Sequence, residues 1–474
     1  MAGISDFSSV TINLTRTPAA AVNFGVAMLL VDHADIPPDI RYRSMTRATY
    51  QALVTADTAH DLWMDDLWGQ TLNPDELYLA RWCSAATLAY LVCPNATTDV
   101  AAWAALAATA QLKIHEGVAN EDIAPDFTGD TSMADVCATI QAAMLAGPGM
   151  TAAYTCSLDI LGRVTIHSDL SGSGSDEVSI DTPAGGVDLS LPAWLGGATT
   201  IFQDGCDIET LAESMNLVLA VDNTPFIMCE IGGSIAQKVA FSTAVNALDK
   251  IFLCVSNDTD CKSGGSTTDV AYLIHANDDQ QTHLEYTEHT ADNPDACICG
   301  EIMPYTEARR SFALWPMLEL HMSGLRVSDG EAIQLTVAEE VALAAKGCDY
   351  LVAPRGLEHF ATGLAAGGNE MRIMIGKFYC EAMITEEVYA YMLAQDVVTF
   401  SDDDILAVQS IMEKWLDEMV IRKVLEADYT IDMPSAADFS AATKATHIMD
   451  LTNVANADAQ ITVNQINITL SWAI

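Results

Sequence analysis

The two ends of this chain alternate apolar and polar residues one by one. In residues 8–15 (SSVTINLT), Val10, Ile12 and Leu14 alternate with Thr11 and Asn13. In the last sixteen residues (AQITVNQINITLSWAI), Ile466, Ile468, Leu470 and Trp472 alternate with Asn467, Thr469 and Ser471. A period of two predicts a half-buried β-strand at each end. Ile461 and Val463 keep the alternation, and a bulge or a bend at Asn464–Gln465 would absorb the one-residue shift before Ile466. A strand at a chain end needs a sheet edge to join. The two ends either pair with each other within one subunit or add to a neighbour's sheet.

Between them the pattern changes several times. Residues 24–31 (FGVAMLLV) and 76–82 (ELYLARW) predict buried strands, with a helix over 41–56 that Ser44 or Thr46 caps. From Pro94 to about 200 the texture is that of a small α+β unit. It has helices over 101–111 and 133–145, the second capped by Thr131–Ser132, a hairpin over 153–158 and 162–168, and a strand at 178–180. From Asp204 the chain reads as α/β. Residues 225–230 (PFIMCE) and 250–255 (KIFLCV) are near-continuous apolar strands joined by a helix over 234–248, which predicts a parallel pair buried on both faces. Helices are also predicted over 208–219 and 267–275. Further on, Thr336-Val-Ala-Glu339 reads as a capping box, Gly347 as a helix end, and 349–353 as a strand. Residues 371–378 (MRIMIGKF) read as another strand, and Thr385 as the cap of a helix reaching about Ala394. Ser401-Asp-Asp-Asp404 opens a helix with Ile405, Val408, Met412, Trp415 and Met419 on one stripe. A short strand at 429–431 and a polar linker, 436–445, precede the final strand.

The fold class expected from this order is α+β and α/β in several domains: a parallel-strand α/β core, an inserted small α+β domain and β-strand terminal arms. The divisions are an N-terminal β arm (1–20), the first part of the core (21–90), the insertion (91–203), the α/β core (204–330), a C-terminal α/β domain (331–454) and a C-terminal β arm (455–474). A chain of 474 residues has ample length for this.

Charge narrows the function. The chain carries 65 acidic and 21 basic residues, a formal net charge of −44, while hydrophobic residues make up 50%. That much apolar content excludes disorder and predicts a folded protein with an acidic surface. Such a surface repels nucleic acid and anionic membranes, so neither is an expected partner. No signal peptide or bilayer-spanning apolar run is legible, and twelve cysteines without a signal peptide predict reduced, buried thiols.

Candidate chemistry is sparse. Gly232-Gly233-Ser234 and Gly264-Gly265-Ser266 each follow an apolar strand and open a helix, where a phosphate could sit. Neither completes a dinucleotide fingerprint or a P-loop, so they read as tight turns. Cys297 and Cys299, with His283 and His289 nearby, lack the spacing of a common zinc module and read as buried thiols. Asp402, Asp403 and Asp404 read as helix-capping charge. No catalytic, cofactor-binding or metal-ligating set stands out, so no enzymatic activity, cofactor or metal is expected.

The order of segments resembles the tail-sheath-like proteins of contractile-tailed bacteriophages over nearly the full length. The resemblance rests on VTINL followed by FGVAMLL, on ELYLARW, on TSMADVCATIQAAMLA with LGRVTIHSDLSGSGS and GGVDLSLPAWLG, on LTVAEEVALAAKGCDYLVAP, and on a polar linker before an alternating last strand. Where the family often carries Ile-Gly before Arg-Trp, Leu79-Ala80 precede Arg81-Trp82 here. The resemblance implies a structural virion protein of the phage tail, assembled in the host cytoplasm. Its subunits form six-membered rings stacked helically around a tail tube, in contact also with baseplate and tail terminator proteins. It implies strand exchange between subunits through Val10, Ile12 and Leu14 at one end and Ile466, Ile468, Leu470 and Trp472 at the other. It also implies that 91–203 lies outside and 331–454 near the tube. Other readings are a baseplate or capsid component, or an α/β nucleotide-binding enzyme.

Overall fold

A computed structural model describes most of residues 23–302 and 335–437, together with Phe312 and three short terminal strands. In chain order its elements begin with β1 (Val10–Asn13), β2 (Asn23–Asp32), β3 (Tyr42–Met45), α1 (Arg47–Gln51), α2 (Ala59–Trp68), β4 (Leu77–Trp82) and β5 (Leu88–Cys93). Then come α3 (Val100–Leu106), β6 (Ala110–Glu116), β7 (Ala119–Ile123), α4 (Met133–Ala146), β8 (Thr155–Leu158), β9 (Val164–Ser171), β10 (Val178–Asp181), β11 (Val187–Asp188) and β12 (Ile201–Gln203). The chain continues through α5 (Leu211–Leu219), β13 (Pro225–Glu230), α6 (Ile235–Asn246), β14 (Ile251–Ser256), α7 (Val270–Ala276), β15 (Thr282–Tyr286) and α8 (Pro294–Ile302). It ends with α9 (Val337–Ala345), β16 (Cys348–Val352), β17 (His359–Phe360), α10 (Met371–Ala394), α11 (Asp402–Ile421), β18 (Ile448–Asn453) and β19 (Ile466–Ser471).

Eight strands form the main sheet, in the order β17-β16-β15-β14-β13-β2-β4-β3. The six inner strands run parallel, and the two edge strands pair antiparallel. Successive side chains of a strand point to opposite faces, and here both faces are covered. Ala27, Leu29, Val31, Leu79, Ile227, Cys229 and Leu253 enter one core, under α2, α8, α10 and α11. Val26, Met28, Leu30, Tyr78, Met228, Phe252 and Cys254 enter the other, under α5, α6, α7 and α9. Double burial is why these strands read as unbroken apolar runs, and the expected parallel pair of β13 and β14 is present.

A third core belongs to residues between β5 and β12. Two four-stranded sheets surround it, β10-β6-β11 with β7, and β12-β5-β9-β8. Trp103 lies at its centre, 5.1 Å from both Phe127 and Trp194, and its indole N–H donates to Thr97 O at 2.9 Å. The architecture is therefore mixed α/β, with three hydrophobic cores among the described residues.

Caps fix several helices, the one at Thr336 as its sequence predicts. Thr210, Ser234 and Thr336 each form a reciprocal capping box, with Glu213, Gln237 and Glu339. Gly347 ends α9 at φ +62°, where an added Cβ would strike the Ala366 backbone.

Several expectations need correction. Residues 371–378 belong to a helix. Met371, Met374, Ile375 and Phe378 are buried at helical spacing, and α10 continues through Ile384 and Val388. Ile373, Ile375 and Gly376 suggest a strand only in isolation; Val424 packs 2.6 Å from where a Cβ on Gly376 would sit. Thr385 therefore lies within α10, its hydroxyl donating to Glu381 O at 2.7 Å. Residues 42–45 are an edge strand on β4, with Tyr42 stacked on Tyr78 at 5.5 Å, and α1 begins only at Arg47. Residues 110–111 open β6, since α3 ends at Leu106. On α11 the fully buried stripe runs through Leu416, while Trp415 is half-buried and donates to Glu387 Oε2 on α10 at 2.6 Å. Tyr429 and Ile431 lie outside any strand.

Candidate functional site

The two chain ends meet in a three-stranded sheet of their own, ordered β1-β19-β18. β1 runs parallel to β19 and pairs Val10 with Ile466, Thr11 with Asn467, Ile12 with Ile468 and Asn13 with Thr469. β18 runs antiparallel on the other side and pairs Leu451 with Ile468 and Met449 with Leu470. Most apolar positions thus meet apolar positions and most polar positions meet polar ones, the exceptions being Ile448 opposite Ser471 and Asn453 opposite Ile466. Five of the predicted interaction residues lie in this sheet: Val10, Ile12, Ile466, Ile468 and Leu470. Leu14 and Trp472 lie outside the described residues, as does the expected bulge or bend at Asn464–Gln465.

The Gly-rich turns hold no open anion cradle. Gly233 N–H donates to Glu230 Oε2 at 2.7 Å, so the protein's own carboxylate stands where a phosphate would bind. Lys238 Nζ pairs with the other oxygen of Glu230 at 3.0 Å. The second turn does not open α7 directly: Asp269 caps that helix through Tyr272 N at 2.9 Å.

The side chains considered as metal ligands are dispersed. His283 is buried on β15, its Nδ1 2.8 Å from Leu364 O and its ring 5.0 Å from Phe312. Cys299 Sγ faces Cys229 Sγ at 3.6 Å, and Cys297 is buried. His289 lies outside the described residues. Among the described residues one set of potential ligands converges, Cys83, Cys206 and Glu209, with ligand atoms within 4.8 Å of one another. Sequence reading missed it because the residues are distant along the chain. Arg41 Nη2 lies 2.8 Å from both Glu209 oxygens. Ser214 Oγ also donates to Glu209 at 2.6 Å and Cys206 Sγ at 3.0 Å. Burial raises the Glu209 carboxyl, but these donors outweigh it and hold it below its usual range. Burial pushes the Cys206 thiol up to about 12, aided by Glu209, and raises that of Cys83. A cation here would have to displace a bound guanidinium, so the donors do not fit a metal.

Buried charge gathers under the main sheet. β15 points Leu284 and Tyr286 into one core and His283 and Glu285 toward the other face, beside Asp349 of β16. His283 Nε2 lies 3.5 Å from Glu285 Oε1 and 3.7 Å from Asp349 Oδ2. Burial raises Glu285 well above the usual carboxylate range and lowers His283. Asp349 is anchored by backbone N–H donors from Tyr350 (2.9 Å), Thr362 (2.9 Å) and Gly363 (2.7 Å). Asp295, in the first turn of α8, accepts from Trp63 Nε1 of α2 at 2.8 Å, and burial pushes its carboxyl up to about 7.

The Asp295 shift sets a pH dependence. The unfolded chain ionises this carboxyl near pH 4 and the folded one near 7. Between these values the folded state binds the extra proton, so stability falls as pH rises through the window and levels off above it. Asp295→Asn keeps an acceptor for Trp63 and removes the ionisation. The variant should match wild type near pH 4 and exceed it by on the order of 3 kcal/mol at pH 8. Urea unfolding across pH reads this, and a pH-independent difference would refute it.

No helix among the described residues is long and apolar enough to cross a membrane. No family model matches the chain, and no curated protein does. Solved structures do. A sheath tail protein from Desulfitobacterium hafniense aligns over 98% of this chain and 100% of its own, at 11% identity and a TM-score of 0.46. A sheath tail protein from Listeria innocua aligns over 94% of each chain, at 9% identity and a TM-score of 0.45. A chain of the anti-feeding prophage baseplate aligns over 52% of this chain and 69% of its own, at 13% identity and a TM-score of 0.34. The chain is similar to sheath tail proteins along almost its whole length.

Proposed function

We propose that this protein is a structural subunit of a contractile phage tail sheath, polymerising around a tail tube and contracting to drive the tube through the host envelope. The observation that carries the reading is the terminal sheet. Both chain ends enter it, and β19 is its shared central strand. A strand supplied from a chain end can be exchanged for the same strand of a neighbour with its register kept, which links subunits without a new interface. Six-membered rings stacked helically, contacts to tube, baseplate and tail terminator, assembly in the host cytoplasm, and a role without enzymatic activity or cofactor belong to this proposal. Negative-stain microscopy of the purified protein tests it: rings or helical tubes are expected, whereas closed shells or single plates would favour a capsid or baseplate role.

In the same reading, 91–203 is an inserted domain on the outer surface, and 331–454 lies next to the tube. The separate core between β5 and β12 supports the first part. Replacing 91–203 with a short Gly/Ser bridge should leave a soluble protein that still forms tubes, because an outer insertion tolerates removal. A soluble deletion variant that no longer polymerises would sink the idea.

A further inference from the structure

We propose that Cys83 and Cys206 are a redox staple: an oxidant converts them to a disulfide that closes the neck where the chain leaves the main sheet for the segment between β5 and β12 and returns to it. Cys83 directly follows β4, and Cys206 lies between β12 and α5. Glu209 N–H donates to Cys83 O at 2.9 Å, and Thr87 N–H to Cys206 O at 2.8 Å. Cys206 N–H donates to Thr87 Oγ1 at 2.8 Å, and Trp82 Nε1 to Glu209 O at 2.9 Å. These bonds lace the outgoing and returning strands together and hold the two cysteines opposite each other. Their sulfurs lie within 4.8 Å of each other, and a disulfide requires them to close to about 2.05 Å.

Exposure selects this pair. Of the twelve cysteines, eleven are buried and Cys206 alone is half-exposed. Another close pair, Cys229 and Cys299, is buried on both sides. A reagent can therefore reach Cys206, with Cys83 waiting behind it as the resolving thiol. With a small-molecule disulfide such as oxidised glutathione in alkaline buffer, where the raised Cys206 thiol loses its proton to the buffer in a small fraction of molecules, that thiolate attacks one sulfur and one glutathione thiolate leaves. The Cys83 thiolate then attacks the Cys206 sulfur of the mixed disulfide, and the second glutathione leaves. The two protein thiols lose two electrons, the glutathione disulfide gains them, and the two protons go to the released thiols. The bond closes a loop of roughly 120 residues, a length at which cross-linking strongly restricts the unfolded chain. This chemistry is independent of any assembly role.

The test is peptide mapping by mass spectrometry of the intact protein after oxidised glutathione or dithiothreitol treatment. The expected product is a linked Cys83–Cys206 peptide, with a protein mass about 2 Da lower and no glutathione retained. Cys83→Ser should stop at a glutathione adduct on Cys206, and Cys206→Ser should lose the linkage and the adduct. Wild-type protein that accumulates glutathione on Cys206 while Cys83 stays free overturns the proposal. So does wild-type protein whose two thiols both stay free under conditions that oxidise a small dithiol.

Discussion

A chain cut before Asn464 should fold and remain monomeric at every salt concentration, while the intact chain forms tubes that lengthen as salt rises. The cut removes β19, which pairs with both β1 and β18. Neither remaining strand has another partner among the described residues, and a lone strand of this size is not stable in water. The three hydrophobic cores lie elsewhere in the chain, so the body should keep its cooperative unfolding. Salt enters through the net charge of −44 on each subunit. At 0.01 M ionic strength the Debye length is about 30 Å, and neighbouring acidic subunits repel across the whole contact. At 1 M it is about 3 Å, and apolar strand contacts dominate. Sedimentation and electron microscopy over a salt series read both arms. Tubes from the cut chain would refute strand exchange, and intact tubes that shorten with salt would refute the charge argument.

Asp349→Ala should destabilise the body more than any surface change, by on the order of 4 kcal/mol. The carboxylate accepts three backbone N–H groups and ties β16 to the turn at Thr362 and Gly363. Leu364 of that turn in turn accepts from His283 on β15. Alanine leaves two buried donors, on Tyr350 and Gly363, and the half-buried Thr362 N–H without an acceptor, the buried ones each costing about 1–3 kcal/mol before water enters. Asp349→Asn retains one acceptor oxygen and should cost roughly half as much. Denaturant midpoints at constant slope measure the effect. A loss below about 1 kcal/mol for the alanine variant would show that the turn reorganises around the deletion.

The main sheet was legible where both faces of a strand are apolar. β2, β13 and β14 bury alternate residues in two cores, and the resulting unbroken runs could be read directly. β15 escaped because its second face carries His283 and Glu285, which broke the run although both are buried. α8 escaped because a polar stretch with Asp295 at its start gives little helical pattern until Trp63 of α2 is placed beside it. Residues 371–378 misled because a short apolar window fits both periods, and only the continuation to Val388 separates them. The strand character of the chain ends was plain, whereas β1 beside β19 is a long-range pairing that alternation alone leaves open. The neck thiols were invisible for the same reason: Cys83 and Cys206 meet only once β4 and the lead into α5 are laced together.

The main sheet also governs where such molecules can grow on one another. Its two edges are a strand of two residues, β17, and a strand of four, β3, the latter carrying Arg43. Short, charged edges are poor templates for a foreign strand. Lateral accretion of bodies into a continuous ribbon is thereby discouraged, and under the proposed sheath role growth would fall to the terminal strands. Residues 14–22 connect β1 to β2 and can reach at most about 30 Å even when fully extended. A neighbour that receives β1 must therefore stand within that radius, so the leash between the first two strands sets an upper limit on the repeat distance of any polymer built through that strand.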